Sequence, residues 1–245
     1  SDSLLYVSMP RRQKKEPFSK RLMRRLGFLL LLLLLLGWLL VLPLRWINPP
    51  VTAFMLQSNP SGKQKVHYQW TDWHELGSEA PLAVMAAEDQ KFPDHRGFDV
   101  ASIRKAVTQR RDNEALRGAS TITQQVAKNL FLWPGRSFFR KAIEAYCAVL
   151  IEVSWPKQRI LEVYLNIAEF GPAIYGVPAA SQVYFNKTPR QLSAADAALL
   201  AAVLPNPKQL RVDEPSSYVR ERQRWIMQHA ARLRQYGWLA RVESN

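Results

Sequence analysis

Residues 86–99 read AAEDQKFPDHRGFD and bring two adjacent carboxylates, Glu88 and Asp89, together with a Phe, a His and a Gly. An apolar run, PLAVMAA at 81–87, leads directly into Glu88. A carboxylate at the end of such a run is partly desolvated, which raises its pKa and makes it a competent proton acceptor. For this pair alone a solvated helix end is the stronger interpretation, so the case for a catalytic base depends on the residues further along.

The N-terminal region has the composition of a membrane anchor. Residues 26–44 are 19 residues without a charge, and as helix they span about 28 Å, close to the hydrocarbon thickness of a bilayer. Eight basic residues precede this segment, whereas only Arg45 follows it closely. The positive-inside rule therefore places the N-terminus in the cytoplasm and the rest of the chain outside. A cleaved signal peptide is disfavoured, because no small-x-small site follows the run.

Length and charge limit the remaining possibilities. The 245 residues hold one good-sized core plus an appendage. We predict a basic cytoplasmic tail at 1–25, a transmembrane anchor at 26–44, a connector at 45–80 and one domain at 81–245. The net charge of +14 favours an anionic partner such as nucleic acid, a membrane face or a phosphorylated substrate. Nucleic acid is excluded by the predicted location outside the membrane. Cys147 is the only cysteine, which rules out an intramolecular disulfide.

From about residue 81 onward the apolar residues recur at helical spacing, which predicts a mainly α domain. Pro156 ends one helix and another begins at Lys157. Residues 192–202 predict a capped, Ala-rich buried helix. Residues 217–241 predict one final basic helix, amphipathic through Trp225, Ile226, His229 and Leu233.

A second constellation, RGASTITQQVAKN, occupies residues 117–129. A hydroxyl at Ser120 or Thr121 can cap free amide groups, which predicts a helix start there. In that helix Thr121, Gln125 and Lys128 share one face, while Ile122 and Val126 can face the core. A row of hydroxyl, amide and ammonium groups suits an oxygen-rich ligand such as a sugar or a diphosphate. An ordinary polar helix face remains the alternative.

Two further stretches allow a structural or a functional interpretation. The segment LFLWPGRSFF at 130–139 is too apolar for a loop in water, which indicates either contact with the bilayer or a loop folded onto the core. Arg136 within it could meet lipid phosphates. Arg140 and Glu144 stand at i and i+4, the spacing of a surface ion pair. Because Glu144 also enters an apolar run, the sequence is equally compatible with a functional role, in which Glu144 is a carboxylate beside cations that bind a diphosphate.

Taken in order, these residues closely resemble the membrane-anchored peptidoglycan glycosyltransferases that polymerise lipid II, in their monofunctional form. The resemblance covers about residues 80–210. It depends on five fragments that are highly specific in this order: Glu88-Asp89 with Phe92, His95 and Gly97; 118–125 with Lys128-Asn129; Arg140-Lys141 with Glu144; Tyr164-Leu-Asn166 with Gly171 and Gly176; and 192–207. Asp196, where the family usually has Glu, is the one departure and lies in a structural helix.

The resemblance implies a mainly α, lysozyme-like glycosyltransferase domain preceded by a single N-terminal transmembrane helix. It implies that the donor is a growing glycan strand on undecaprenyl diphosphate and that lipid II is the acceptor. Glu88 would take the proton from the GlcNAc 4-hydroxyl, which attacks MurNAc C1 with inversion and forms a β-1,4 bond. Glu144 would position the reaction centre or assist departure of the diphosphate. Lys128 and Arg136, with Arg140 and Lys141 nearby, would offset the developing phosphate charge. The implied substrate-binding residues are Asp89, Phe92, His95, Ser120, Thr121, Gln124, Gln125, Asn129, Arg136, Arg140 and Lys141.

The donor arrives activated as a diphosphate, so no nucleotide or other cofactor is expected. The sequence contains no metal-ligand cluster, although a divalent cation stays open. It also lacks Ser-x-x-Lys and Lys-Thr-Gly pairs, so no transpeptidase domain is expected. The implied location is the bacterial inner membrane, single-pass, with the domain on the periplasmic face. Besides the membrane, the expected partners are cell-division or other cell-wall synthesis proteins.

Two other functions remain open from the sequence. One is a lysozyme-like enzyme that cleaves glycan with Glu88 as acid, although such an enzyme needs no diphosphate-binding cations. The other is a non-catalytic, membrane-anchored scaffold of the cell-wall machinery. A scaffold is disfavoured because Glu88, Lys128 and Glu144 are all present.

Overall fold

The computed structural model describes residues 18–58, 65–99, 120–135 and 137–244, and the structural statements below refer to these residues. The predicted mainly α fold is confirmed. The helices are α1 (Phe18–Val41), α2 (Ala53–Ser58), α3 (Trp73–Leu76), α4 (Glu79–Glu88), α5 (Ile122–Phe131), α6 (Phe138–Ser154), α7 (Lys157–Ile167), α8 (Gly176–Phe185), α9 (Ala194–Val203), α10 (Ser217–Gln235) and α11 (Trp238–Ser244), with 3-10 turns at Leu42–Arg45 and Pro189–Gln191.

The chain divides into two compact units between Leu39 and Leu40. In the first unit the apolar part of α1 is exposed along its length. Among the described helices, the segment Ser19–Arg45 is long and apolar enough to cross a membrane. This finding is compatible with the predicted single-pass anchor.

The globular unit includes residues that the sequence assigns to the anchor. Val41 is buried, and its carbonyl oxygen accepts a hydrogen bond from the Trp155 indole at 3.1 Å. The Arg159 guanidinium donates to the carbonyl oxygen of Leu44 at 3.0 Å. Arg45 in turn donates to the Ser154 carbonyl oxygen at 2.7 Å. The segment after Leu39 is thus built into the domain.

Two deletions are expected to differ in stability for this reason. Removing residues 1–39 should leave the urea midpoint and the free energy of unfolding of the domain unchanged, because the second unit begins at Leu40. Removing residues 1–45 also removes the buried Val41 side chain, so we expect a loss of about 2 kcal/mol or more. Urea unfolding of the two fragments measures the difference. Equal midpoints would contradict the assignment of Val41 to the core.

The core consists of two groups of helices. Helices α4, α9 and α10 pack against one another, and α5 packs against α6 and α7. Contact between α4 and α7 joins the two groups. Both α4 and α9 are apolar on all sides, which is typical of helices buried within a core. The C-terminal end of α4, which carries Glu88, therefore lies where the two groups meet.

A small sheet, which the sequence did not predict, ties the connector to the domain. Strand β1 (His67–Tyr68) pairs in parallel with β3 (Ile174–Tyr175), and β2 (Glu169–Gly171) pairs with β3 in antiparallel orientation. Gly176 follows β3 with a φ of +83°. A Cβ at Gly176 would lie 2.3 Å from the Asn166 carbonyl oxygen, so this close approach of two backbones requires glycine.

The prediction of one final helix at 217–241 is wrong. Gly237, with a φ of +66°, separates α10 from α11. Of the residues that give this segment its amphipathic pattern, Ile226 and Leu233 are buried, but Trp225 is 41% exposed. The indole of Trp225 is therefore on the surface of α10, where it lines a cavity described below.

Candidate active site

Glu88 is the last residue of α4 and lies at a cavity of about 280 Å³. Its side chain is only 14% exposed. Gln125 Nε2 donates to Glu88 Oε2 at 2.9 Å, and the Tyr164 hydroxyl donates to Gln125 Oε1 at 3.1 Å. Arg222 of α10 approaches from the other side, 3.3 Å from the Ala87 carbonyl oxygen and 3.5 Å from Glu88 Oε1. The carboxylate is thus oriented from both groups of helices.

Burial raises the pKa of Glu88 above its ordinary value. The hydrogen bond from Gln125 and the charges of Arg222 and Lys128 oppose this rise, while the charge of Asp89 adds to it. A raised pKa makes the ionised carboxylate a stronger base, and the two cations keep it available in that form. This environment agrees with the sequence argument from the apolar run.

Asp89 points away from Glu88 and holds the surrounding loop. It is buried, and both of its carboxylate oxygens lie 2.9 Å from His95 Nε2. Asp89 Oδ2 also accepts from the backbone N–H of Ile122, the first residue of α5, at 3.1 Å. An ionised carboxylate at a helix N-terminus is favourable because the free amides there carry partial positive charge. Asp89 therefore fixes α5 relative to α4.

Phe92 lies behind this pair. Its side chain is fully buried, with its ring edge-on to His95 and the Lys157 ammonium 4.5 Å from its ring centre. A ring without exposed surface supports the neighbouring side chains and does not line a subsite itself. Direct contact between Phe92 and substrate is therefore not expected from this geometry, and the predicted substrate-binding role of Phe92 stays a prediction.

The predicted start of α5 is confirmed. Thr121 caps the helix, and its side chain forms a reciprocal capping box with Gln124. The Thr121 hydroxyl also donates to the Gly97 carbonyl oxygen at 2.7 Å. Ile122 and Val126 are buried, as predicted. Thr121 and Gln124 are thus engaged with the backbone, whereas Gln125 and Lys128 interact with Glu88.

Lys128 interacts electrostatically with two carboxylates, those of Glu144 and Glu88. Burial, together with the charges of Arg140 and Lys141, lowers its pKa, and the two carboxylates oppose that effect. Glu144 is buried and pairs with Arg140 Nη1 at 3.0 Å and with the Lys141 ammonium. Three cations thus converge around one buried carboxylate. This arrangement suits an anionic ligand.

The residues predicted to form the site are largely brought together. Lys141 Nζ lies 3.4 Å from the Ser120 hydroxyl, and Asn129 is buried on α5. Arg136 falls outside the described residues. Within the described ranges, no three His, Cys, Asp or Glu side chains are grouped so as to hold a metal ion.

Comparisons with known proteins agree on one family. The Transglycosylase family model matches residues 56–231. A biosynthetic peptidoglycan transglycosylase of Stutzerimonas stutzeri is 50% identical over 231 residues, which cover 92% of this chain and 96% of the relative. The chain belongs to this transglycosylase family. A second relative of the same name, from Shewanella frigidimarina, is 56% identical over 74% of this chain and 78% of its own length. A third, from Xylella fastidiosa, is 46% identical over 86% and 89%.

The candidate site contains residues that the sequence argument missed. Arg222 reaches Glu88 across 134 positions of sequence, and Trp225, one turn later, lines the same cavity. Tyr164 was noted only as part of a motif, yet it orients the Gln125 amide. The helical spacing of Arg222 and Trp225 was the available signal, since residues three apart share a face.

Replacing Arg222 by Gln in the transglycosylase is expected to shift the pH dependence of activity. The Arg222 charge lowers the pKa of Glu88, so its loss should raise that pKa further. The acidic limb of the rate profile should then move to higher pH, with activity recovering on the alkaline side. R222K, which keeps the charge, is the matched control. A loss that is equal at every pH would show that Arg222 acts only through packing.

The loop between α5 and α6 and the first turn of α6 expose apolar side chains. Phe138 is 98% exposed, and Trp133 and Phe139 are also exposed, whereas Leu132 is buried. For the segment at 130–139, this geometry favours a surface that contacts the bilayer over a loop folded entirely onto the core.

Replacing Phe138 by Ser is expected to weaken liposome association of the fragment that begins at Leu40 by about tenfold. The reason is that one aromatic side chain no longer inserts from the protein surface into the membrane interface. Sedimentation with liposomes measures this. Tyr236→Ser changes an aromatic side chain that is also exposed and serves as the control. Equal sedimentation of the F138S and parent fragments would exclude Phe138 from the membrane contact.

Proposed function

We propose that this peptidoglycan transglycosylase polymerises lipid II into β-1,4 glycan strands, with Glu88 as general base and inversion at the donor carbon. The observation that carries the proposal is the buried Glu88 carboxylate beside a separate cluster of cations. Base and cations divide the reaction between them: one activates a hydroxyl, and the others receive a charged leaving group.

The proposed reaction is a single displacement. Glu88 takes the proton from the GlcNAc 4-hydroxyl of lipid II, and that oxygen attacks C1 of MurNAc at the end of the growing strand. The bond from C1 to the phosphate oxygen breaks, and undecaprenyl diphosphate leaves with the bonding electron pair. Lys128, Arg140 and Lys141 offset the charge that develops on the diphosphate, and Glu144 positions Arg140 and Lys141 through its ion pairs.

The location and partners follow as part of the same proposal. The eight basic residues before the apolar segment at 26–44 support a cytoplasmic N-terminus, with the globular unit on the periplasmic face of the inner membrane. We propose that no cofactor is required, and a divalent cation stays open. Other cell-wall synthesis proteins are the proposed partners.

The test uses the intact chain in detergent with purified lipid II as the substrate. The proposal predicts long glycan together with release of undecaprenyl diphosphate in step with each bond formed. A parallel incubation with finished glycan strands distinguishes the alternatives. Shortening of those strands without polymerisation of lipid II would indicate a hydrolase, and no change in either substrate would indicate a scaffold.

A further inference from the structure

The cavity beside Glu88 has one aromatic wall that the proposed reaction does not use. Trp225 of α10 lines this cavity together with Glu88, Asp89, Ser120 and Thr121. Its side chain is 41% exposed, although it is among the largest apolar side chains of the domain. The same indole also borders a neighbouring cavity of about 370 Å³. Trp225 thus stands where open space continues away from the proposed base.

The indole is held in place by its own helix. His229 stacks on it with ring centres 3.9 Å apart and an angle of 27° between the planes. His229 Nδ1 donates to the Trp225 carbonyl oxygen at 2.8 Å, which fixes the imidazole in that position. One face of the indole is therefore covered. Ordering an aromatic ring before a ligand arrives lowers the entropy that binding must overcome.

The indole also lies on the helix that contacts the proposed base. Arg222 lies one turn before Trp225 on α10 and contacts Glu88 Oε1. Residues three apart on a helix share a face, so both side chains project toward the same end of α4. A ligand that rests on Trp225 is therefore adjacent to the group that Glu88 activates.

The lining of the cavity selects the kind of ligand. Around the indole are the carboxylates of Glu88 and Asp99, the hydroxyl group of Ser120 and the ammonium group of Lys91. A prenyl chain is unfavourable there, because charged groups would lose water without gaining a partner. A sugar ring has both an apolar face of C–H bonds and a rim of hydroxyl groups. One aromatic plane surrounded by hydrogen-bonding groups matches that pattern.

We propose that Trp225 is a sugar-binding residue, which stacks on an N-acetylhexosamine ring of the glycan or of lipid II next to Glu88. This proposal rests on the proposed function for the identity of the substrate. Trp225 takes no part in bond making, so its contribution is to the binding and retention of saccharide. Its removal should raise KM and shorten the glycan product while kcat changes little.

Two variants of Trp225 distinguish the contribution of the aromatic ring from the contribution of side-chain volume. W225L keeps an apolar side chain but loses the ring, and W225F keeps a ring. We expect W225L to raise KM for lipid II by about tenfold, which corresponds to the free energy of one aromatic stacking contact. W225F should have a KM close to that of the parent chain. Tyr236→Leu, at the end of the same helix, is the control for loss of an exposed aromatic group.

Binding of chitotetraose, a soluble β-1,4-linked N-acetylglucosamine oligomer, tests the subsite without catalysis. Calorimetry on the intact chain in detergent should detect binding that W225L weakens and Y236L leaves unchanged. If lipid II is not polymerised but this pattern is seen, the proposed function fails and the subsite stands. Equal KM, product length and chitotetraose binding in W225L and the parent chain would overturn the subsite.

Discussion

Replacing Glu88 by Gln should lower the rate of glycan synthesis at least about a hundredfold. Gln keeps the size of the side chain and can still accept from Gln125 Nε2, but it has no basic oxygen to take a proton. The raised pKa of Glu88 adds a second expectation. A carboxylate whose folded-state pKa is raised costs stability once the pH exceeds its unfolded pKa. E88Q should therefore be at least as stable as the parent chain at neutral pH.

The control for this result is Glu79→Gln, at the other end of α4. Glu79 pairs with Arg234 near the surface, far along the helix from the cavity. E79Q should polymerise at the parental rate. Activity and thermal midpoint are measured on the same preparations, so loss of activity and loss of fold are separated. Substantial glycan from E88Q would assign the base to another residue, with Glu144 as the first candidate.

Replacing Lys128 by Met should lower the rate by about a hundredfold to a thousandfold. The Lys128 ammonium is partly desolvated, which lowers its pKa. A bound diphosphate would stabilise the charged ammonium and be stabilised by it in turn. Because charge on the leaving group increases toward the transition state, the loss should fall mainly on kcat. Steady-state rates with lipid II as the substrate separate kcat from KM.

Lys65→Met removes a charge from an exposed lysine of the connector and serves as the control for net charge. If K128M and K65M had equal kcat, Lys128 would have no part in departure of the diphosphate. A change in KM alone would limit Lys128 to binding of the ground state.

The parts of the fold that local sequence determines were predictable. The α5 start depends on the Thr121 cap, and the break at Pro156 follows from the missing N–H of proline. Glu88 and the paired Asp89 and His95 lie within eight residues of one another, so one motif contains them all. Such features need no knowledge of tertiary structure.

Features that depend on distant contacts were not predictable in this way. The pairing of β1 with β3 joins residues about a hundred positions apart through two-residue strands, too short for any periodic pattern. Arg222 was seen only as one of many basic residues on α10, and its approach to Glu88 exists only after α4 and α10 pack. Trp225 was predicted only to belong to the amphipathic pattern of this helix, because spacing alone does not distinguish a core from a cavity wall.

The central claim is that Glu88 activates a hydroxyl for one displacement at an activated sugar carbon. The most direct measurement is the NMR spectrum of glycan made by the intact chain from lipid II labelled with ¹³C at MurNAc C1. The account predicts that the labelled carbon, α-linked to phosphate at the start, becomes β-linked to GlcNAc O4. An α-linkage from the labelled carbon to GlcNAc O4, or label released as free sugar, would contradict it.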